Sequence, residues 1–460
     1  MTDEQIRSRF EGASDFEYRV LTAGQCTLYT YFIDGLVSGS FVSEYIYRPI
    51  SQDLSGDIRE AYQRALNGAV YNAVARPCRD LEDTVSKLVN GFCVVLFPGV
   101  GAIAFEARTG VSRGPQAPDV ENTVKGPKDA FVETLRINTS LIRRHLRTPD
   151  LQITGTTVGK QSMTNVSVVW IRGITDPKLV EKMNARLDSI ETDSFLSPAA
   201  VEEYVSGSRA TAFPLLQYTE RPDRFAQGLL DGRVGLLVDG LPLAYLLPVD
   251  LGYLLESPED RSRDYVSASC IRILRYGAFL VSLLLPAVYI AAVMFHSEWI
   301  PEKLVEIILR SDRPRPFAAS WEVLSLLIAY ELIQEAGIHL PRAIGQSVSM
   351  IGGIVVGTAA VEAGLIAPMV LIVVSITGIC GFVLPNRDLA QAIRVWRFGI
   401  SILAMLAGMW GTAIGAAVLI LHLARIRSLG TPYLIPTPAG RGILRKRLIR
   451  EEKSRRKGQS

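Results

Sequence analysis

Cysteine and histidine are scarce and scattered. Five cysteines (Cys26, Cys78, Cys93, Cys270, Cys380) and four histidines (His145, His296, His339, His422) stand in 460 residues. No C-x-x-C pair occurs, and no histidine has a second ligand at metal-binding spacing, so neither a disulfide framework nor a metal site is expected. An excess of one charge is also lacking. The 49 basic and 46 acidic residues leave +3, too little to point to nucleic acid. The N-terminus, MTDEQIRSRFEGASDFEYR, has no basic start and no apolar core, so it does not read as a secretion signal. The folded region after it is therefore expected in the cytoplasm. G-x-S-x-G, H-E-x-x-H and the dinucleotide glycine fingerprint are missing, and Gly159-Lys160 lacks the upstream glycine of a phosphate-binding loop. No nucleophile and base can be assembled. Neither an enzyme nor a bound cofactor is expected.

Long apolar runs are what the chain does have, and they are segregated. Charges occur throughout residues 1–270, whereas 276–295 (YGAFLVSLLLPAVYIAAVMF) carries none. At 1.5 Å per residue that run matches a hydrocarbon core of about 30 Å. Arg272 and Arg275 precede it, placing its start on the cytoplasmic side, and Pro286 is tolerated in a membrane helix. Uncharged stretches follow at 343–361, 363–386 and 398–424. The first two are separated by Glu362 and read as a helical hairpin. Gly408, Gly411 and Gly415 make the last either a long tilted span or a kinked one.

Four spans would place both chain ends on one side, and the basic tail RGILRKRLIREEKSRRK favours the cytoplasm. Arg387, Arg394 and Arg397 would then lie outside, against the same rule. A fifth segment could resolve this, and 317–336 (FAASWEVLSLLIAYELIQEA) is the candidate. Each of Glu322, Glu331 and Glu335 would cost roughly 2.5–3.5 kcal/mol at a helix centre in lipid. An amphipathic helix at the interface, or one packed inside an assembly, is expected instead.

In the soluble part, 26–33 (CTLYTYFI), 92–97 (FCVVLF), 102–107 (AIAFEA), 166–171 (VSVVWI) and 234–238 read as strands. Residues 92–107 form a hairpin around Pro98-Gly99. Helical patterns cover 84–90, 129–147 and 222–230, and Asp176-Pro177 starts another that runs to about 190. The organisation is an α/β soluble region of two small domains, 1–115 and 116–270. An all-α multi-span membrane domain (271–425) and a basic tail (426–460) follow. Glu133 with Arg136, and Glu220-Arg221 with Asp223-Arg224, read as solvated faces and caps or as clusters at an interface.

Gly345, Ser349, Gly353 and Gly357 recur every fourth residue, a small-residue stripe that lets another helix approach closely. One reading is packing between spans of a single chain. The other surrounds a pore with copies of this helix, lined by Ser349, Gly353, Val356 and Ala360. Val356 would then be an apolar constriction, and Glu362 a carboxylate ring at the mouth or a solvated turn residue.

The runs KGPKDAFVETLRINTSLIRRHLRTPDL, ITDPKLVEKMNARLDSI, YTERPDRFAQGLLDGRVGLLVDG, FHSEWIP and EAGIHLPRAIGQSVSMIGG resemble the A subunit of GerA-type spore germinant receptors. The likeness runs in order from about Pro118 to Tyr433. It implies a protein of the spore inner membrane with a transporter-like B subunit and a C-subunit lipoprotein as partners. Self-association into a nutrient-gated ion channel is also implied. SpoVAF-type spore proteins share most of these runs and are the alternative; a secondary transporter is a more distant one, since no internal repeat is visible. The stretch SDRPRPFAAS departs from the family pattern at Arg313 and Arg315.

Overall fold

A computed structural model of the chain describes residues 1–24, 26–53, 57–72, 74–108, 118, 121, 126–206, 211–299, 317–339 and 357–434. Strands β1 (Phe16–Ala23) and β2 (Cys26–Ile33) form a hairpin with Phe16 opposite Ile33. With β3 (Ala75–Cys78), β4 (Phe92–Phe97) and β5 (Gly101–Glu106) they make an antiparallel sheet ordered β1-β2-β4-β5-β3. The β4–β5 turn falls at Pro98-Gly99, as expected, and Gly99 takes φ +77, a conformation that suits glycine. All of β4 is buried. Helix α1 (Asp3–Arg9) opens the chain, and α2 (Leu81–Val89) starts at Asp80, whose carboxylate accepts the Asp83 N–H at 2.8 Å.

The second sheet holds β6 (Leu151–Val158), β7 (Thr164–Ile171), β8 (Gln217–Thr219), β9 (Val234–Val238) and β10 (Ala244–Leu247) in the order β6-β7-β9-β10-β8. All its pairs are antiparallel as well. The order of the first sheet is thus repeated strand for strand. Helices α3 (Leu135–His145), α4 (Pro177–Asp188), α5 (Pro198–Ser206) and α6 (Pro222–Leu230) belong with it. Asp176 caps α4 with Pro177 in its first turn, as the sequence indicates. Helix α6 precedes β9 just as α2 precedes β4. The architecture is two α/β subdomains on antiparallel sheets.

Each subdomain has its own apolar core. Ile6, Leu28, Val94, Phe97 and Phe105 belong to the first; Val166, Met183, Phe195, Leu236 and Tyr245 belong to the second. The segment Ser428–Thr431 is part of the same unit, and it brings Leu429 into the second core. Ser428 Oγ accepts the Val249 N–H at 2.9 Å and donates to the Leu215 carbonyl at 2.6 Å.

The joint between the subdomains is polar. Arg143 on α3 is 1% exposed and grips Asp15 through two hydrogen bonds, Nε–Oδ2 2.7 Å and Nη2–Oδ1 2.6 Å. Arg136 reaches Asp34 rather than Glu133, Arg147 reaches Asn90 Oδ1, and Arg172 donates to the Glu11 carbonyl. The Ser14 N–H and hydroxyl both donate to the Ile153 carbonyl. Glu220-Arg221 and Asp223-Arg224 are not a solvated face. Arg221 and Arg224 are buried, the first paired with Asp223 and the second with Glu121.

His145, at the end of α3, bonds Asp129 at 2.8 Å and is the first cause holding that carboxyl below its ordinary 3.8, with burial opposing. A depressed carboxyl stabilises the fold above its unfolded value, and the contribution is lost as pH falls through the folded one. The difference in denaturant midpoint between wild type and His145→Ala should therefore be full at neutral pH and shrink below about pH 4. A difference independent of pH would contradict this.

The second unit is helical, and its α7 (Tyr265–Phe295), α8 (Ala319–His339), α9 (Pro368–Phe382) and α10 (Arg387–Arg425) pack side by side. Helices α7 and α10 are long and apolar enough to cross a membrane; α9 is apolar but shorter. Large apolar side chains stay exposed on all four, Leu280, Ile328, Ile379 and Trp410 among them, as a lipid-facing surface requires.

Of the two forms expected for the last stretch, α10 takes the kinked one, and the kink is a full reversal. Its backbone leaves helical geometry at Ala407 (φ −134, ψ 16) and Gly408 (φ 56, ψ −134), and the chain doubles back. The Trp396 and His422 rings lie 5.2 Å apart, whereas 26 residues of straight helix would separate them by about 39 Å. Gly415 meets Ile400, and Gly411 meets the backbone of Leu403. Limbs 387–406 and 409–425 are thus antiparallel, about 30 and 25 Å long. Asn386 and Arg425 lie at the same end.

Candidate functional site in the helical unit

The stretch marked by the glycine stripe enters the described structure only at its end. Gly345, Ser349, Gly353 and Val356 lie outside the described residues. Residues 357–362 are helical. Gly357 is buried, and a Cβ there would come within 2.8 Å of Leu371 Cδ1 on α9, so this glycine permits close packing within the chain. Ala360 is half-buried and Glu362 is exposed.

The helix then stops as the sequence VEAGLIAP suggests. Gly364 takes φ +69, and the Leu365 N–H reaches back to the Ala360 carbonyl at 3.0 Å, the six-to-one bond of a glycine-terminated helix. Pro368 occupies the first turn of α9, for which Ala367 is the N-cap and offers no side-chain acceptor. A different helix supplies one. Glu322 of α8, 1% exposed, accepts the Ala367 N–H at 2.9 Å. The first hairpin, 357–362 with α9, is therefore held at its turn by a carboxylate from outside it.

The second glutamate of α8 serves the other hairpin. Glu331 accepts from Arg397 Nη2 at 2.5 Å and lies 3.2 Å from Arg394 Nη1. Both arginines are on limb 387–406, and Arg397 is 2% exposed. A charge buried this far stays only when paired, since desolvation costs several kcal/mol per ion. The expectation that α8 packs inside an assembly of helices agrees with these contacts: Glu322 and Glu331 face α9 and α10, while Trp321, Ile328 and Leu332 are exposed.

At the start of α7, Arg272 and Arg275 are not free edge charges. Asp260, fully buried, accepts two hydrogen bonds from Arg275 (2.7 and 2.8 Å) and one from Arg272 Nε (3.2 Å). The partners of the α8 glutamates are not legible in the sequence, because Arg397 stands 66 residues from Glu331 and the Ala367 N–H 45 residues from Glu322. One signal was present: glutamates interrupt one apolar run, and arginines crowd the start of another.

The family description Bacillus/Clostridium GerA spore germination protein matches residues 4–458. The chain belongs to the GerA family of spore germination proteins, in which the germinant-receptor A subunits fall. An uncharacterized membrane protein of Bacillus subtilis (strain 168), YfkQ, is 35% identical over 438 residues, covering 94% of this chain and 84% of the relative. Spore germination protein KA of the same organism is 34% identical over 406 residues, covering 88% and 75%. The crystal structure of the N-terminal domain of the A subunit of the Bacillus megaterium spore germinant receptor GerK3 covers 53% of this chain and 91% of that one, at 25% identity and TM-score 0.41. This chain too is a membrane protein, with α7 and α10 as its candidate spanning elements.

Proposed function

We propose that this chain is the A subunit of a spore germinant receptor, and that copies of it assemble in the spore inner membrane into a nutrient-gated ion channel. A transporter-like B subunit and a C-subunit lipoprotein would be its partners, the nutrient binding to a partner and opening the path by shifting the helical unit between two packings. The carrying observation is the small-residue stretch that ends in the first hairpin. Gly357 is taken up by Leu371 of the same chain, while Ala360 is half-buried and Glu362 is exposed, so a second copy can approach beside the intrachain contact. Ser349, Gly353, Val356 and Ala360 would line the passage, with Glu362 at its mouth.

The doubled-back α10 supports a cytoplasmic soluble region and tail. A single long span would separate Arg387 from the basic tail by the whole membrane. The fold-back returns Arg425, after which the tail follows, to the end where Arg387 stands. With Glu322 and Glu331 paired, α8 can count as a crossing too, which puts that end on the cytoplasmic side and relieves the conflict of Arg387, Arg394 and Arg397 with the positive-inside rule.

Val356→Ala is expected to widen the constriction and raise ion release without nutrient, read in spores or in liposomes holding the assembled receptor. Gly353→Leu should block close helix approach and abolish assembly. Wild-type dormancy in the first variant and intact oligomers in the second would overturn the pore. Cysteine cross-linking along 345–361 between copies tests helix facing directly.

A further inference from the structure

We propose that α8 is a tie between the two hairpins, and that Glu322 and Glu331 are positioning residues that hold the pore hairpin in register with α10. The functional half of this proposal rests on the channel reading; the mechanical half rests on contacts alone.

Glu322 accepts the N–H of the N-cap residue Ala367, fixing the turn of the first hairpin at the N-terminus of α9. Two turns further along α8, neighbouring residues meet different helices. Tyr330 enters the notch at Gly378 of α9, where a Cβ would lie 2.6 Å from its hydroxyl, and its ring meets Phe382. Glu331, the next residue, takes Arg394 and Arg397 of α10. One helix therefore grips the first hairpin at two depths and the second hairpin between two guanidiniums. Both glutamate links are short and directional, the first fully buried and the second joining a part-exposed carboxylate to the buried Arg397 guanidinium, so they transmit displacement where apolar contacts would slide. Movement of α10 cannot occur without either carrying α8, and with it the turn at Ala367, or breaking the Glu331–Arg397 ion pair.

The two grips make different chemical demands. At 322 the partner that fixes the turn is a backbone N–H, which needs only an acceptor; at 331 the partners are cations, which need charge. The test uses the full chain, cysteine-free apart from label sites, co-expressed with its partner subunits and placed in nanodiscs for spin-label distances. Trp321→Cys with Leu365→Cys reports the first grip, and Ile328→Cys with Val395→Cys the second; all four positions are exposed.

Glu322→Ala should broaden the 321–365 distribution, whereas Glu322→Gln keeps it narrow. Glu331→Gln should broaden 328–395, and Glu331→Arg combined with Arg397→Glu should narrow it again. In liposomes, Glu322→Ala and Glu331→Gln should each slow nutrient-triggered ion release by about tenfold, within the usual range of coupling between sites, with Glu322→Gln and the exchanged pair recovering it. Distances unchanged in Glu322→Ala and Glu331→Gln overturn the tie. Broadened distances with wild-type release, while Val356→Ala still leaks, overturn the positioning role. If Val356→Ala is inert as well, the channel reading falls, and broadened distances still support the tie.

Discussion

Gly411→Ala should abolish the fold-back of α10 and with it the accumulation of the protein in the membrane. A Cβ at this position would stand 1.9 Å from the Leu403 carbonyl oxygen and 2.5 Å from its carbon. Those are backbone atoms of the opposite limb and cannot rotate aside. Overpacking ordinarily costs about 1–3 kcal/mol when side chains can adjust; here the limbs themselves must separate, releasing the Trp396–His422 contact and the register at Ile400–Gly415. Gly415→Ala is the control. Its Cβ would come 3.0 Å from Ile400 Cγ1, a side chain that can turn, so a milder loss is expected. Membrane-fraction abundance and cross-linking of cysteines placed at 396 and 422 measure both. Wild-type abundance with an intact 396–422 cross-link in Gly411→Ala would show that the limbs are not packed as described.

The next largest effect is expected at Arg143. Removing one partner of a buried ion pair leaves an uncompensated charge, which costs about 3–5 kcal/mol, and Asp15 has no solvent to replace the guanidinium, its side chain being 9% exposed. Arg143→Ala should destabilise the soluble unit by that amount and raise amide exchange at Ser14, whose N–H bonds Ile153 across the joint. Arg136→Ala, at an exposed pair, should cost under about 1 kcal/mol. The double variant Asp15→Ala/Arg143→Ala should lose much less than the two single losses added, because the groups act as a pair. Strict additivity would mean that the pair contributes nothing as a pair.

How much was legible follows from what each element needs. β4 and β9 are apolar throughout because both faces are covered, so 92–97 and 234–238 could be read directly. β1 could not. It is an edge strand whose Glu17, Tyr18, Arg19 and Val20 are all exposed, leaving no alternation to read. β8 is three residues long and exists because β10 is beside it. The repeated strand order is a matter of pairing, which no single segment encodes. In the helical unit, Gly408, Gly411 and Gly415 signalled a break, but whether a break tilts, kinks or reverses a helix depends on the φ and ψ of two residues. The glutamates of α8 showed their cost in the sequence and not their partners, which come from runs that are distant along the chain.

The arginine contacts of the joint share one polarity. Arg136, Arg143, Arg147 and Arg172, all from the second subdomain, give hydrogen bonds, and Asp34, Asp15, Asn90 and the Glu11 carbonyl, all from the first, receive them. Although the two subdomains share a strand order, their mating faces are therefore plug and socket. Two sockets would set carboxylate against carboxylate, and two plugs guanidinium against guanidinium. Neighbouring chains could trade halves only in the native pairing, first with second, and homotypic exchange is forbidden by charge before shape is even consulted.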